Sequence, residues 1–284
     1  MPDASQFNID RTQPGLWTIT FSNPPINMFV PETIVELGTL MTDVEADPSV
    51  KVVVFQSANP EFFIAHLDVT KAAAQPGVLD LWRDFVLRLS SAPVASIAKI
   101  RGRTRGIGNE FVLACDMRFA SRQGALFGNP EVGVGLIPGG GALEWLPRLV
   151  GRSRALEIVL SADDFDADIA ERYGWVNRAL EDGDLDSFVD TFVGRLVSFD
   201  RETLAAAKAQ INRFGMPTAS ELQSSNDMIF SILAWPGARA RRAKVRNSGY
   251  GVRSDFELNF GRYLPAFGRA DGADTDTQPN RSSP

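Results

Sequence analysis

In the first half of the chain, short apolar runs of strand type alternate with longer stretches whose apolar residues recur at helical spacing. This alternation indicates an α/β layered core, because each amphipathic helix must bury its apolar face against a sheet. The predicted strands are residues 16–21, 52–55, 62–65, 94–100, 117–120 and 125–127. The predicted helices in this half are residues 31–47, 78–91 and 108–116.

After about residue 140 the pattern becomes mainly helical, with one short strand-like return at residues 175–180. We therefore divide the chain into a core at residues 1–213 and a helical C-terminal region at residues 214–268. The C-terminal region would serve in trimerisation or cover an active site. Residues 269–284 are polar and contain no aromatic residue, so we expect them to be disordered.

Composition excludes several classes of protein. With 44% hydrophobic residues and a net charge of -6, the chain is typical of soluble proteins and lacks the basic character of a nucleic-acid binder. No signal peptide or apolar run of membrane-spanning length is visible, so we expect a cytoplasmic protein with no membrane partner. The chain has one cysteine, Cys115, and one histidine, His66, which rules out an internal disulfide and a multi-histidine metal site.

A glycine-containing segment joins the predicted strand at 94–100 to the predicted helix at 108–116. It reads RGRTRGIGNE and ends at Glu110, in the first turn of the helix. Backbone N–H groups at a helix N-terminus lack partners within the helix and favour negative charge, and glycine lets a ligand approach the backbone. Glu110 is therefore a candidate for chemistry beside those amides. A tight turn whose glutamate complements the helix dipole explains the same pattern equally well.

A second glutamate, Glu131, lies between a predicted strand and a glycine-rich loop. The segment reads FGNPE at 127–131 and continues to PGGG at 138–141. A carboxylate in this position is well placed to face a cleft, although an ordinary loop glutamate has the same surroundings. Taken alone, neither segment decides between the two interpretations.

Four segments together resemble the crotonase, or enoyl-CoA hydratase/isomerase, superfamily. They are NPPIN at 23–27, the strand pair within 52–63, GIGNEFVLACDMRFAS at 106–121, and FGNPEVGVGLIPGGG at 127–141 followed by LPRLVG at 146–151. The resemblance is collinear from about residue 16 to about residue 213. It implies an α/β fold of the crotonase type, a spiral of ββα units with a helical C-terminal region, assembled as a homotrimer or hexamer.

The resemblance also implies an activity and a site. The activity is that of an enoyl-CoA hydratase, a lyase of fatty acid metabolism. Glu110 and Glu131 fall on the positions of the catalytic acid/base pair, and the backbone N–H groups of Leu67 and Ile107 fall on those of the oxyanion hole. The positions implied to bind substrate are Ala65, His66, Asp68, Gly106 and Gly139. Coenzyme A enters as part of the acyl-CoA substrate, and no metal or separate cofactor is implied.

These residue types suit the chemistry. Adding water to an α,β-unsaturated thioester builds enolate-like charge on the thioester oxygen, which fixed backbone amides stabilise. One carboxylate must accept the proton of the attacking water, and one acid must deliver a proton to the α-carbon. Two glutamates close together suit these roles because like charges disfavour double ionisation and so separate their pKa values.

The sequence departs from the family pattern around the implied oxyanion hole. His66 and Leu67 stand where relatives carry glycine and alanine, and Ile107 replaces a glycine. Larger side chains restrict the backbone there, so we expect both amide sites to be crowded. Arg103 and Arg105 occupy a stretch that is largely small or apolar in relatives.

The C-terminal region differs most, with a basic run within residues 238–244. This run either meets the phosphates of coenzyme A or forms a solvated helix face. Three functions stay open at this point: hydration of an enoyl-CoA; another crotonase reaction such as isomerisation, thioester hydrolysis or retro-aldol cleavage; and non-catalytic binding of an acyl-CoA. The acyl group and the role of His66 also stay open.

Overall fold

A computed structural model describes residues 5–268 of the chain. The disorder expected for residues 269–284 concerns a segment outside these described residues. Within residues 5–268, no helix is both long enough and apolar enough to cross a membrane.

Ten strands lie within the described residues and form two sheets. They are β1 (Phe7–Asp10), β2 (Leu16–Phe21), β3 (Val52–Ser57), β4 (Phe62–Ile64), β5 (Ala95–Ile100), β6 (Arg103–Arg105), β7 (Met117–Ser121), β8 (Leu126–Gly128), β9 (Asp164–Asp166) and β10 (Arg178–Leu180). The larger sheet has the order β1-β2-β3-β5-β7-β10, and the smaller has the order β4-β6-β8-β9. All neighbouring strands are parallel except β1 and β9, which are antiparallel edge strands.

Helices cover the sheets and build the second half of the chain. Those of the core are α1 (Pro31–Ala46), α2 (Val69–Ala74), α3 (Val78–Ser91), α4 (Ile107–Ala114), α5 (Ala142–Val150), α6 (Arg152–Ser161), α7 (Ala167–Tyr173), α8 (Asp182–Val197) and α9 (Arg201–Gly215). Those that follow are α10 (Ala219–Leu233), α11 (Pro236–Arg246), α12 (Asp255–Leu258) and α13 (Phe260–Tyr263). Short 3-10 turns lie at Val132–Val134 and Leu264–Gly268.

The chain passes from one sheet to the other in a repeating unit. β3, β5 and β7 of the larger sheet are each followed by a strand of the smaller sheet and then by one or more helices. This repeat confirms the predicted spiral of ββα units. Because β4, β6 and β8 are adjacent and parallel, the segments that follow these three strands leave the smaller sheet at the same edge.

The helix α4 lies at the centre of the main hydrophobic core. All eight of its residues are buried, and the ring of Phe111 contacts those of Phe21 and Phe55 at centroid distances of 5.3 and 4.9 Å. Burying one such phenylalanine side chain contributes about 1.5–3 kcal/mol to folding. Glu110 precedes Phe111 on this helix, so its position is determined by the packing of the core.

Prediction and structure agree where apolar periodicity is strong and differ where it is absent. The helix predicted at 78–91 and the strand predicted at 16–21 match α3 and β2 to the residue. The strand β6, of sequence RTR, was not predicted because two of its three side chains are charged. It forms because β4 and β8 pair with it on both sides.

The C-terminal region, residues 214–268, lies against the core. Helix α10 contacts α3 and α5, α11 contacts the turn at Val132–Val134, and α13 contacts β9. These contacts place α10 and the segment that includes α12 and α13 beside the loops of the ββα units. The division of the chain at residue 213 stays a prediction.

Candidate active site

Glu110 is held by a glycine-rich loop, residues 138–141, which we call the glycine loop. The side chain is buried, and its Oε1 accepts hydrogen bonds from the backbone N–H of Gly140 at 2.7 Å and of Ala142 at 3.3 Å. The carbonyl of Gly140 accepts a third bond, from the indole N–H of Trp82 at 2.9 Å. A Cβ at Gly140 would overlap both the Glu110 carboxylate and the Trp82 indole nitrogen. Only glycine lets the loop approach so closely.

Glu131 ends a chain of hydrogen bonds that begins in the core. The indole N–H of Trp175 donates to Asn109 Oδ1 at 2.9 Å, and Asn109 Nδ2 donates to Asn129 Oδ1 at 2.7 Å. Asn129 Nδ2 then donates to Glu131 Oε2 at 3.3 Å. Because an indole nitrogen can only donate, it determines the orientation of both amides. This series of hydrogen bonds therefore presents the N–H donor of Asn129 to Glu131, which favours the ionised carboxylate.

The two carboxyl groups have raised pKa values. Burial and, next, the negative charge of Glu131 raise the pKa of Glu110 to about 8, while hydrogen bonds from the N–H groups of Gly140 and Ala142 lower it. Burial raises the pKa of Glu131 to about 7, although its own backbone N–H, Asn129 and the charge of His66 lower it. Between these values the pair holds one proton. It can then accept one proton and donate another.

Two backbone N–H groups beside these carboxylates lack acceptors. Leu67 forms an isolated parallel bridge with Phe29, in which the Phe29 N–H donates to the His66 carbonyl at 2.9 Å and the Asp68 N–H donates to the Phe29 carbonyl at 2.8 Å. The N–H of Leu67 itself must then point away from Phe29. The N–H of Ile107 is the first of α4 and has no helical partner. Within residues 5–268 neither N–H meets an acceptor.

The residues that carry these groups line a cavity of about 400 Å³. Its apolar walls come from α3 and from the C-terminal region, which contributes Ile229, Phe230 and Leu233 of α10 together with Phe260. Seven of the residues singled out from the sequence line this cavity: His66, Leu67, Gly106, Ile107, Glu110, Glu131 and Gly139. Ile107 also packs into the main core and is 5% exposed.

Two other residues implied to bind substrate, Ala65 and Asp68, are not among the residues that line the cavity. Ala65 has no exposed surface and does not line the cavity. Asp68 caps α2, where its carboxylate accepts hydrogen bonds from the N–H groups of Thr70 and Lys71 at 3.0 Å. The lining of the cavity therefore gives no support for substrate contact by Ala65 or Asp68, and Asp68 instead shapes the loop by starting a helix.

The structure adds two residues that the sequence analysis missed, Tyr250 and Glu257. The Nε2 of His66 lies 2.8 Å from Glu257 Oε1, and its ring stacks on that of Tyr250 with a centroid distance of 4.2 Å. The hydroxyl of Tyr250 donates to the Leu67 carbonyl at 3.1 Å. The pattern Ser254-x-x-Glu257 is typical of a capping box, in which the glutamate would turn back to the helix start. Its carboxylate turns to His66 instead.

The basic run of the C-terminal region holds α11 on the core. Arg241 donates to the carbonyls of Gly133 and Leu264, and Arg242 donates to those of Gly135 and Leu233. These two guanidinium groups are therefore engaged within the protein. Contact between the run and the phosphates of coenzyme A stays a prediction.

A ββα spiral in which two carboxylates and two unpaired amides face one apolar cavity is an arrangement of the crotonase class. The sequence profile of the enoyl-CoA hydratase/isomerase family matches residues 11–233 of the chain. The chain belongs to this family.

Individual proteins that are similar to this chain carry names from the same family. A crotonyl-CoA hydratase of Syntrophomonas wolfei is 32% identical over 209 residues, which span 70% of this chain and 79% of that protein. A short-chain-enoyl-CoA hydratase of Clostridium acetobutylicum is 31% identical over 203 residues, 69% of this chain and 77% of that protein. Among solved structures, a Streptomyces avermitilis protein named as an enoyl-CoA hydratase superposes with a TM-score of 0.87 at 40% identity, covering 93% of this chain and 99% of that one.

Proposed function

We propose that the protein catalyses the reversible addition of water to an α,β-unsaturated acyl-CoA. The observation that carries this proposal is that Glu110 and Glu131, which have raised pKa values, line the same cavity as the unpaired N–H groups of Leu67 and Ile107. Relatives named as crotonyl-CoA and short-chain-enoyl-CoA hydratases support it.

The site residues would act as follows. The N–H groups of Leu67 and Ile107 bind the thioester oxygen and stabilise the charge that develops there. The water oxygen bonds to the β-carbon, and the π electrons of the double bond move toward the thioester oxygen. At the same time one carboxylate takes a proton from the water. The other carboxyl group gives its proton to the α-carbon. Glu110 and Glu131 together hold one proton before and after the reaction, so no further co-reactant is needed.

The lining of the cavity favours an apolar acyl group. The side chains of Leu79, Trp82, Ile229 and Leu233 line it, and none of them can pair with a charged or strongly polar acyl end. A polar acyl group would lose its hydration against these side chains, and the polar residues Gln223 and Asn226 form only a minor part of the lining. We therefore propose an unbranched or lightly branched hydrocarbon chain.

The test uses a panel of trans-enoyl-CoA esters from four to ten carbons, followed by the loss of absorbance of the conjugated thioester. Hydration predicts loss of absorbance and a 3-hydroxyacyl-CoA product, and Glu110→Gln and Glu131→Gln should each lower kcat about 10²–10⁴-fold. Isomerisation needs one carboxylate only, so a variant Glu110→Gln with normal turnover would contradict hydration. Tight binding of every ester without turnover would indicate a binding protein.

We further propose a homotrimer or hexamer in the cytoplasm. In support of assembly, α9 and α10 expose large apolar side chains: Ile211 is 71% exposed, Phe214 89% and Phe230 61%. Large apolar side chains with this much exposed surface favour association. Light scattering at micromolar concentration should give three or six copies, and Phe214→Glu should lower that number. A monomeric wild-type protein would exclude the assembly.

A further inference from the structure

Three of the residues that depart from the family pattern in the core, His66, Arg103 and Arg105, meet the same short segment of the C-terminal region. His66 contacts the side chain of Glu257. Arg103 Nε donates to the Leu258 carbonyl at 2.8 Å, and Arg105 Nη1 donates to the Glu257 carbonyl at 2.6 Å. Three unusual side chains on two separate segments thus converge on α12. The altered C-terminal region and the altered oxyanion loop, residues 65–68, therefore form one feature.

The place where α12 meets the core is rigid and charged. Arg105 has no exposed surface, and its guanidinium donates two hydrogen bonds of 2.6 Å to the carboxylate of Asp164. A planar guanidinium held by a carboxylate at two points has little freedom to move. Its remaining nitrogen binds the main chain of α12 at Glu257, so the position of Glu257 follows that of the core.

The contacts of His66 engage both nitrogens of its ring. Its Nε2 faces the Glu257 carboxylate at 2.8 Å and its Nδ1 faces the Leu67 carbonyl at 3.3 Å, and both of these groups can only accept. A neutral imidazole donates to one acceptor, whereas an imidazolium donates to both. Burial opposes ionisation of Glu257, yet the charge and hydrogen bond of His66, the N–H of Gly251 and the charge of Arg105 together lower its pKa. The buried imidazole and carboxylate are thus in hydrogen-bond contact, and they form an ion pair when the imidazole is protonated.

The contact between His66 and Glu257, together with Tyr250, restrains the peptide groups around Leu67. The Leu67 carbonyl accepts from the Tyr250 hydroxyl, and the peptide groups on either side of Leu67 are bonded to Phe29. The N–H of Leu67, which has no acceptor within residues 5–268, belongs to one of these held peptide groups. A donor in a held peptide group has a fixed direction, which is what electrostatic preorganisation requires.

We propose that Glu257 and Tyr250 are positioning residues, which act through His66 and the Leu67 carbonyl to aim the Leu67 N–H at the thioester oxygen. The proposal rests on the function proposed above. On this proposal the C-terminal region contributes to the oxyanion hole. It lines the cavity and it also holds the peptide group whose N–H binds the thioester oxygen.

The experiment measures polarisation of the thioester separately from turnover. A hexadienoyl-CoA absorbs further to the red when its thioester oxygen accepts hydrogen bonds, so the spectral shift on binding reports on the oxyanion hole. Glu257→Gln, which keeps the size of the side chain, should lose most of this shift. With an enoyl-CoA substrate its kcat should fall about 10–100-fold while KM changes less than about threefold. Tyr250→Phe should lose part of the shift and about 3–10-fold in kcat.

Two comparisons separate positioning from general damage. Arg253→Gln breaks an exposed ion pair with Glu61 in the same segment and should leave both the shift and kcat within about twofold of wild type. If Glu257 acts through His66, the double variant His66→Ala/Glu257→Ala should be no worse than His66→Ala. Should Glu257→Gln fail to fold, as judged by its melting temperature, Tyr250→Phe alone carries the test because it removes only a hydroxyl.

The results distinguish this proposal from the proposed function. A wild-type protein that shifts the spectrum but hydrates no substrate would contradict the hydratase function and leave the positioning role standing. Normal hydration, with an undiminished shift and kcat in Glu257→Gln and Tyr250→Phe, would refute the positioning role. Additive effects in the double variant would refute action through His66. A wild-type protein that binds the probe without any shift would contradict both proposals.

Discussion

The two sides of the cavity are built in different ways. On the carboxylate side, Glu110 is held by the N–H of Gly140, which is 30 residues along the chain, and Glu131 by Asn129, two residues before it. On the side of the oxyanion loop, His66 is held by Glu257, 191 residues away. The two carboxylates are thus supported within the core, while the loop that carries the Leu67 N–H is held by the C-terminal region. This difference predicts which changes stop the chemistry and which only weaken it.

The largest effect is expected on the carboxylate side, from Gly140→Ala. The added Cβ would overlap the Glu110 carboxylate and the Trp82 indole, so the loop must retreat and Glu110 must lose its hydrogen bonds. We expect kcat to fall about 10²-fold or more, measured with the best substrate of the panel. The matched control is Gly183→Ala, where a Cβ meets no atom within 4 Å, and full activity is expected. Unchanged kcat in Gly140→Ala would show that this side tolerates displacement.

A smaller effect is expected from Asn129→Asp, which replaces the donor to Glu131 with an acceptor. In wild type, kcat/KM should be bell-shaped, since the pair holds two protons below the pKa of Glu131, about 7, and none above that of Glu110, about 8. Loss of the donor raises the pKa of Glu131, so the acid limb should move to higher pH and kcat/KM at pH 7 should fall about tenfold. An acid limb that stays in place would mean that the hydrogen-bond chain does not control Glu131.

On the other side, Arg103→Met removes the bond to the Leu258 carbonyl and keeps the apolar stem of the side chain. We expect the C-terminal region to open more often, so amide hydrogen exchange at residues 250–264 should become about 3–10-fold faster. Because Glu257 and Arg105 remain, kcat should fall less than about threefold. Slower exchange, or equally faster exchange throughout the core, would contradict this localised role.

The smallest expected effect is on stability and concerns the carboxylate side. The pKa of Glu110 rises from 4.5 to about 8 on folding, so between these values the folded state holds a proton that the unfolded state has lost. Its contribution to stability is therefore present below pH 4.5 and lost as pH rises toward 8. Glutamine does not titrate, so Glu110→Gln does not lose this contribution. Between pH 5 and 8 the melting temperature of the variant should therefore rise by a few degrees relative to that of wild type. The exposed variant Glu202→Gln should follow wild type throughout.

The same contrast explains how far the sequence could predict the molecule. Glu110 and Glu131 were found because each belongs to a motif with glycines and an apolar helix or strand close by, and the strands and helices around them follow clear periodicities. Tyr250 and Glu257 were missed because a contact between charged and aromatic groups so far apart along the chain has no periodicity. The departures at His66, Arg103 and Arg105 were visible in the sequence, but their common partner becomes evident only in three dimensions.

His66 is the only histidine of the chain, and it lies at the edge of the cavity with its ring stacked on Tyr250. In a protein labelled with ¹⁵N, the imidazole nitrogens resonate apart from the amides, so this chain should give a single pair of such signals without any mutation for assignment. The current in the Tyr250 ring shifts the protons of a stacked imidazole. The chemical shift of one imidazole resonance should therefore report, in solution, whether the C-terminal region contacts the oxyanion loop. The measurement requires no substrate that absorbs light.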